Sequence, residues 1–386
     1  MNSTKSLEEQ RMAEKKRMAN LELLRCVAMM MVVVLHYLAK GELLPSYTVK
    51  SLGTVGIAAW SLEALCIVAV NVYMLISGYF LCESSFKPRR LIGLWLQLEF
   101  YSVVIGLVGA FTGVVSHVDV DTHYYLNLLF PVSMGHYWFM TAYLYLYLLL
   151  PLVGYAVKKM TKEQHIFVMG SLLVLFCGLK SILPVRLDMD QKGYDHLWYL
   201  VVFLVAAYIR KYGCTFLEKK RNALLLYLGS AVCIVAEVLV LRYIYAKTGS
   251  LELIQAIPIE YNHIFAFTAS LGLFGLFHSI QIKDGAFSRL ICKIAPLTLG
   301  VYLLHENLGL RYSWQNWFHA DRVESAISLL LWTMLAVICV FLCGIVVEAI
   351  RSLLFAKADA ALVHIPLYRK WKEWLKEKDD LFRVKE

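Results

Sequence analysis

Charge is what this chain has least of. Only 17% of its 386 residues are Asp, Glu, Lys or Arg, against about 25% in a soluble globular domain. That shortage excludes a fold surrounded by water, because 59% of the residues are hydrophobic and the mean hydropathy is +0.60. One buried core cannot absorb so much apolar surface. The alternating segments of about ten residues that mark a transmembrane β-barrel are also missing. The nine cysteines form an odd set with no C-x-x-C pair, which excludes a disulfide framework and a cysteine metal site; most lie in apolar runs, where cysteine behaves as a small hydrophobe. There is no Walker loop, no G-x-G-x-x-G, no H-E-x-x-H and no long-period repeat, so the common nucleotide and metalloprotease signatures are excluded as well.

What is present is a series of apolar blocks of about 17 to 25 residues, each long enough to cross about 30 Å of hydrocarbon as a helix. Ten are expected, at roughly 21–39, 57–81, 91–115, 137–156, 165–183, 197–210, 223–243, 260–280, 294–311 and 325–350, the sixth being short and beginning a little earlier. The fold class is therefore all-α, a polytopic membrane protein. The net charge of +9 does not point to nucleic acid, because the basic residues fall in short clusters between blocks. Starting the N-terminus in the cytoplasm places 28 of the 38 Lys and Arg residues on the inner side and nine outside, the bias of the positive-inside rule. Both termini are expected in the cytoplasm. The first apolar run follows basic Arg11, Lys15, Lys16 and Arg17 but no small-residue cleavage pattern comes after it, so it reads as a retained helix. Three regions follow: a basic segment 1–20, a ten-helix domain 21–350, and a basic amphipathic tail 351–386 lying on the inner surface beside anionic lipid.

Ionisable residues inside such blocks cost about 2.5–3.5 kcal/mol each at mid-bilayer and usually have a task. In "LELLRCVAMMMVVVLHYLAKG" Arg25 and His36 stand eleven residues apart. At about 100° per residue they share one helix face, and at 1.5 Å per residue they lie about 16 Å apart. Arg25 falls near the cytoplasmic mouth and His36 deeper. The stripe suits a long substrate entering from the cytoplasm, with a guanidinium for an anionic group and an imidazole at the reactive end. The competing readings are an arginine that snorkels to headgroups and a histidine bonded to a backbone carbonyl.

The R-x10-H pattern, with Glu22 three residues before the arginine, resembles the first helix of the membrane acyltransferase-3 family, the O-acyltransferases of bacterial surface sugars. "NVYMLISGYFLCESSFKPRRLIGLWLQLEFYS", "GHYWFMTAYLYLYLLLPLV" and "LTLGVYLLHEN" are similar to further segments of that family in the same order. The resemblance implies transfer of an acyl group, commonly acetyl from acetyl-CoA, to a sugar hydroxyl, in the bacterial plasma membrane. It implies that His36 is central to catalysis and that Arg25 matches the family arginine. The family's R-x-x-R pair at the start of the third helix reads here as Lys87-Pro88-Arg89-Arg90. Only Arg90 fits cleanly, and Lys87 keeps the charge without the bidentate fork. Without an attached SGNH-type domain, a separate second transferase or a single-step reaction is implied.

The chemistry of the residues points the same way. A sugar hydroxyl needs a base as it attacks a thioester carbonyl, and neutral histidine is suited to that role near pH 7. Arg25, Lys87, Arg89 and Arg90 are the expected acyl-CoA-binding cations, and acyl-CoA enters as a donor substrate, not as a resident cofactor. Glu306 is expected to orient an imidazole or take a proton. Glu22, Tyr73, His136, Trp138, Tyr302 and His305 are the acceptor-side or supporting candidates, the aromatic ones competing with an interfacial belt. Gln97, Glu99 and Glu237 read as interhelical glue. No metal is expected. The partners are acyl-CoA, a glycan acceptor and the bilayer, with a homo-oligomer left open. The second function class is a small-molecule transporter or exporter, which would also hold a charged stripe; matched pairs of interrupted helices would favour it, but Pro88, Pro151, Pro184 and Pro296 fall at the edges of the expected blocks. The acceptor glycan and the acyl chain stay open.

Overall fold

A computed structural model describes residues 18–46, 49, 51–114, 120–183, 191–251 and 254–382. The basic cluster at residues 11–17, His117 and Pro184 lie outside the described residues. Regular structure among the described residues is all helical. Eight helices are long and apolar enough to cross a membrane. They are α1 (Ala19–Lys40), α2 (Thr54–Leu81), α3 (Pro88–Thr112), α5 (Trp138–Lys159), α6 (Lys162–Ile182), α8 (Lys220–Thr248), α10 (Ala286–His305) and α11 (Ala326–Leu362). Between or after them come α4 (Thr122–Leu129), α7 (His196–Tyr212), α9 (Ile264–His278) and α12 (Pro366–Leu381).

Two of the ten expected blocks are thus not among the eight long helices: the sixth, expected to be short, is α7 of 17 residues, and the eighth, expected at 260–280, is the shorter α9 of 15, about 26 and 23 Å long. Both are interior. Residues 201–207 of α7 are buried without interruption, and α9 packs along α8. A helix wrapped by other helices has its ends covered by protein, so its length need not match the hydrocarbon. The outer helices behave oppositely: Phe167, Val232 and Ile327 on α6, α8 and α11 project outward at 75%, 67% and 71% exposure. Such a surface is unfavourable in water and neutral in hydrocarbon.

Three further expectations change. Pro296 is not at a helix edge: it breaks α10 into Ala286–Ile294 and Thr298–His305, joined by a 3₁₀ turn, because proline has no N–H to continue the ladder. Pro151 likewise sits inside α5. The helix does not break at the expected tail boundary of 351, since α11 continues to Leu362. The turn comes before Pro366, and α12 then folds back to the start of α3, where Arg89 Nε lies 3.4 Å from Asp379 and the Phe86 and Phe382 rings are 4.9 Å apart.

Helix α1 stands at the centre, packed against α2, α9, α10 and α11. Its register against the rest is fixed partly through α10. The second half of α10 lies close on α11, since a Cβ on Gly300 would be 2.4 Å from Glu348 Cβ and one on Gly344 2.6 Å from Val301 Cα. Only glycine admits that approach. Beside it, the Tyr101 hydroxyl donates to Glu348 at 2.9 Å and Arg351 clamps the same carboxylate at 2.6 and 2.8 Å.

Candidate active site

The face of α1 predicted from the eleven-residue spacing lines a cavity of about 240 Å³, enclosed by α1, α2, α3, α5 and α10. Arg25 and Arg90 stand at one end, Met29, Val32, Leu94 and Phe139 form walls, and His36 and Tyr302 also line it. Glu22, in the first turn of α1 where an acidic group suits the helix dipole, holds Arg25 at 2.9 Å. The Tyr73 hydroxyl lies 2.9 Å from the Arg25 carbonyl and 3.2 Å from Thr298, tying α2 to α1 and α10. Arg90 donates to the Tyr143 hydroxyl at 3.2 Å and lies over the Tyr147 ring.

At the other end of the stripe three side chains meet. His36 Nδ1 is 2.8 Å from His305 Nε2 and 3.1 Å from Glu306 Oε1. His305 Nδ1 is 2.6 Å from the Val301 carbonyl. A carbonyl only accepts, so in neutral His305 the proton is on Nδ1 and Nε2 is an acceptor. His36 Nδ1 must then donate. The proton of neutral His36 is thereby fixed on Nδ1, and the remaining nitrogen, Nε2, carries the lone pair. The Trp314 indole donates to the His305 carbonyl at 3.2 Å. Glu306, 3% exposed, also pairs with Lys40 and lies 3.6 Å from Arg311.

The site residues expected from sequence are thus distributed unevenly. Arg25, His36, Tyr73, Arg90, Trp138 and Tyr302 line the cavity, while Glu22, His305 and Glu306 stand behind it and hold those that do. Arg89 turns away, 63% exposed and committed to Asp379. Lys87 is exposed, and it is its backbone that meets the Tyr147 hydroxyl. His136 is off the cavity: its ring is stacked at 4.0 Å on Tyr137, its carbonyl accepts from Arg311 at 2.7 Å, and its ring nitrogens have no partner among the described residues. Burial, and then the Arg311 charge, push its imidazole down to about 3, so it stays neutral near pH 7. Gln97, expected as glue, is on the cavity wall, whereas Glu237 does bridge helices, 3.5 Å from His263.

Lys40 and Arg311 were legible only as loop charges. Lys40 is one helical turn beyond His36, the one hint that it shares that face. The donor atoms of His36, His305 and Glu306 also lie within 4.8 Å of one another, a spacing a metal ion could use. Lys40 and Arg311 already compensate the one carboxylate, so a divalent cation would meet net positive charge there.

A helical bundle of this length and apolarity, with an interior imidazole on a cavity that also carries two arginines, defines a multi-pass membrane protein. A family model described as an acyltransferase domain, that of the acyltransferase-3 family, matches residues 18–348, and the chain belongs to this family. No curated protein and no solved structure matches it.

Proposed function

We propose that the protein transfers an acyl group, acetyl in the simplest case, from cytoplasmic acyl-CoA to a hydroxyl of a cell-surface or lipid-linked sugar, with His36 as general base, in the plasma membrane of a bacterium with both termini inside. The observation that carries the reading is the tautomer of His36: the Val301–His305–His36 chain leaves Nε2 as the basic nitrogen of a residue on the cavity wall. The sugar hydroxyl gives its proton to Nε2 while its oxygen attacks the thioester carbonyl. The imidazolium so formed faces Glu306 at 3.1 Å. The Tyr302 hydroxyl, buried on the cavity wall without a hydrogen-bond partner among the described residues, supplies a donor to the tetrahedral oxyanion. Collapse breaks the C–S bond, the ester leaves, and the coenzyme thiolate takes the proton back from Nε2.

Size supports the direction of entry. About 240 Å³ is below the roughly 300–1,000 Å³ of sites that enclose drug-sized ligands. The cavity therefore takes the acyl-bearing arm, with the nucleotide left outside at the end marked by Arg25 and Arg90. Arg89 points away from the cavity, toward Asp379, and exposed Lys87 acts at most from the rim.

Purified protein in sealed vesicles, given labelled acetyl-CoA and a glycan extract, tests the reading. Release of coenzyme thiol with label in a glycan ester is expected. Label entering the vesicle lumen with no ester formed would make the protein a transporter instead.

A further inference from the structure

A second groove, of about 470 Å³, runs between the start of α3, the end of α11 and α12. The acyl-transfer reading makes no use of it. Its α12 side presents Arg369, Lys372 and Lys376, spaced i, i+3, i+7 and so on one face of the helix. Lys372 is occupied by Asp359 at 2.8 Å. Arg369 and Lys376 flank the groove and form no ion pair among the described residues; Glu373, also on the groove, stands between them on the helix and pairs with neither. The opposing side on α3 changes character with depth. Arg89 is at its polar entry, followed by Gly93, which offers no side chain, and then Leu96, 40% exposed and two turns further into the membrane span. Trp371 and Trp374, 38% and 50% exposed, mark the interfacial level on α12.

A soluble anion would use the cations and leave the apolar floor uncovered. An uncharged lipid tail would cover the floor and leave the cations unanswered. An anionic amphiphile satisfies both at the right depths. We propose that this groove binds one anionic phospholipid, its phosphodiester between Arg369 and Lys376 and an acyl chain running over Gly93 against Leu96. The inference is independent of the acyl-transfer chemistry, and it gives α12 a specific lipid contact beyond general attraction to a charged surface.

The test uses the full chain, purified in detergent and titrated with phosphatidylglycerol or phosphatidylcholine, with retained lipids counted by native mass spectrometry. One tightly held phosphatidylglycerol is expected, with phosphatidylcholine held no better than background. The double variant Arg369→Ala/Lys376→Ala should weaken retention about thirtyfold, from the typical contribution of a basic residue at an anionic surface. Gly93→Leu should do so by blocking the floor; a Cβ there meets nothing within 4 Å, and an unfolding midpoint equal to that of the wild type separates blocking from a folding defect. Lys370→Ala/Lys378→Ala removes the same charge from α12 outside the groove and should leave retention unchanged. Equal retention of the two lipids, undiminished retention in either groove variant, an equal loss in the Lys370/Lys378 control, or displacement of the lipid by inorganic phosphate would each overturn the proposal.

Discussion

Replacing Glu306 by glutamine changes one atom group and should separate the chemistry of the site from its anchoring. The carboxylate lies 3.1 Å from His36 Nδ1 and pairs with Lys40, with Arg311 at 3.6 Å. An amide in its place leaves the Nδ1–H that His305 Nε2 accepts, but it offers no negative charge to the imidazolium formed as Nε2 takes the proton. General-base catalysis typically supplies about 10²–10⁴-fold, and that gain depends on the imidazolium charge being met. A fall in kcat of about 10³ is expected. Binding of the donor should hardly change, because Arg25 and Arg90 stand away from the change. Stability should fall too, since Lys40 and Arg311, 17% and 19% exposed, lose their countercharge; about 3 kcal/mol is reasonable, the low end for breaking a buried pair. Single-turnover transfer from labelled acetyl-CoA and the unfolding midpoint in the same detergent measure the two effects on one preparation. A variant that unfolds earlier yet transfers at the wild-type rate would refute the charge-stabilising role and leave Glu306 as an anchor only.

Three other perturbations follow from the same geometry. Arg25→Ala should raise KM for acyl-CoA about ten- to a hundredfold, the range of one charge-assisted hydrogen bond, while kcat stays within a few-fold; steady-state kinetics with varied donor checks it. Gly300→Ala forces a methyl group into Glu348 and Tyr101 and should cost about 1–3 kcal/mol as an overpacking defect, read as a lowered unfolding midpoint. His136 carries a proton more readily unfolded, near 6.5, than folded, where burial holds it at about 3. Its contribution is therefore present above pH 6.5 and is lost as pH falls toward 3. A His136→Phe variant should show a shallower loss of unfolding midpoint over that window than the wild type.

The helical class and the Arg25–His36 stripe were readable because both rest on local periods, block length and the 100° turn per residue. The inward contact of His36 with His305 and Glu306 was readable only as a set of candidates, since nothing in "YLLHENLGLR" says which helix it meets. Arg89 and Arg90 show where sequence reasoning stops. They are adjacent, yet one helical step sends Arg90 to the cavity and Arg89 to Asp379, 290 residues later in the chain. Lys40 and Arg311 converge on Glu306 through the packing of α1 against the turn after α10, a tertiary fact with no local signature. The shortness of α9 escaped for a related reason: hydropathy reports that a segment is apolar, not whether lipid or protein surrounds it.

The most direct test of the account is ester formation by purified, reconstituted protein, wild type beside His36→Ala, with labelled acetyl-CoA and a glycan acceptor. The account predicts labelled glycan ester from the wild type and a loss of at least about a hundredfold in the variant, with acetyl-CoA still bound. Transfer by His36→Ala at the wild-type rate would contradict it.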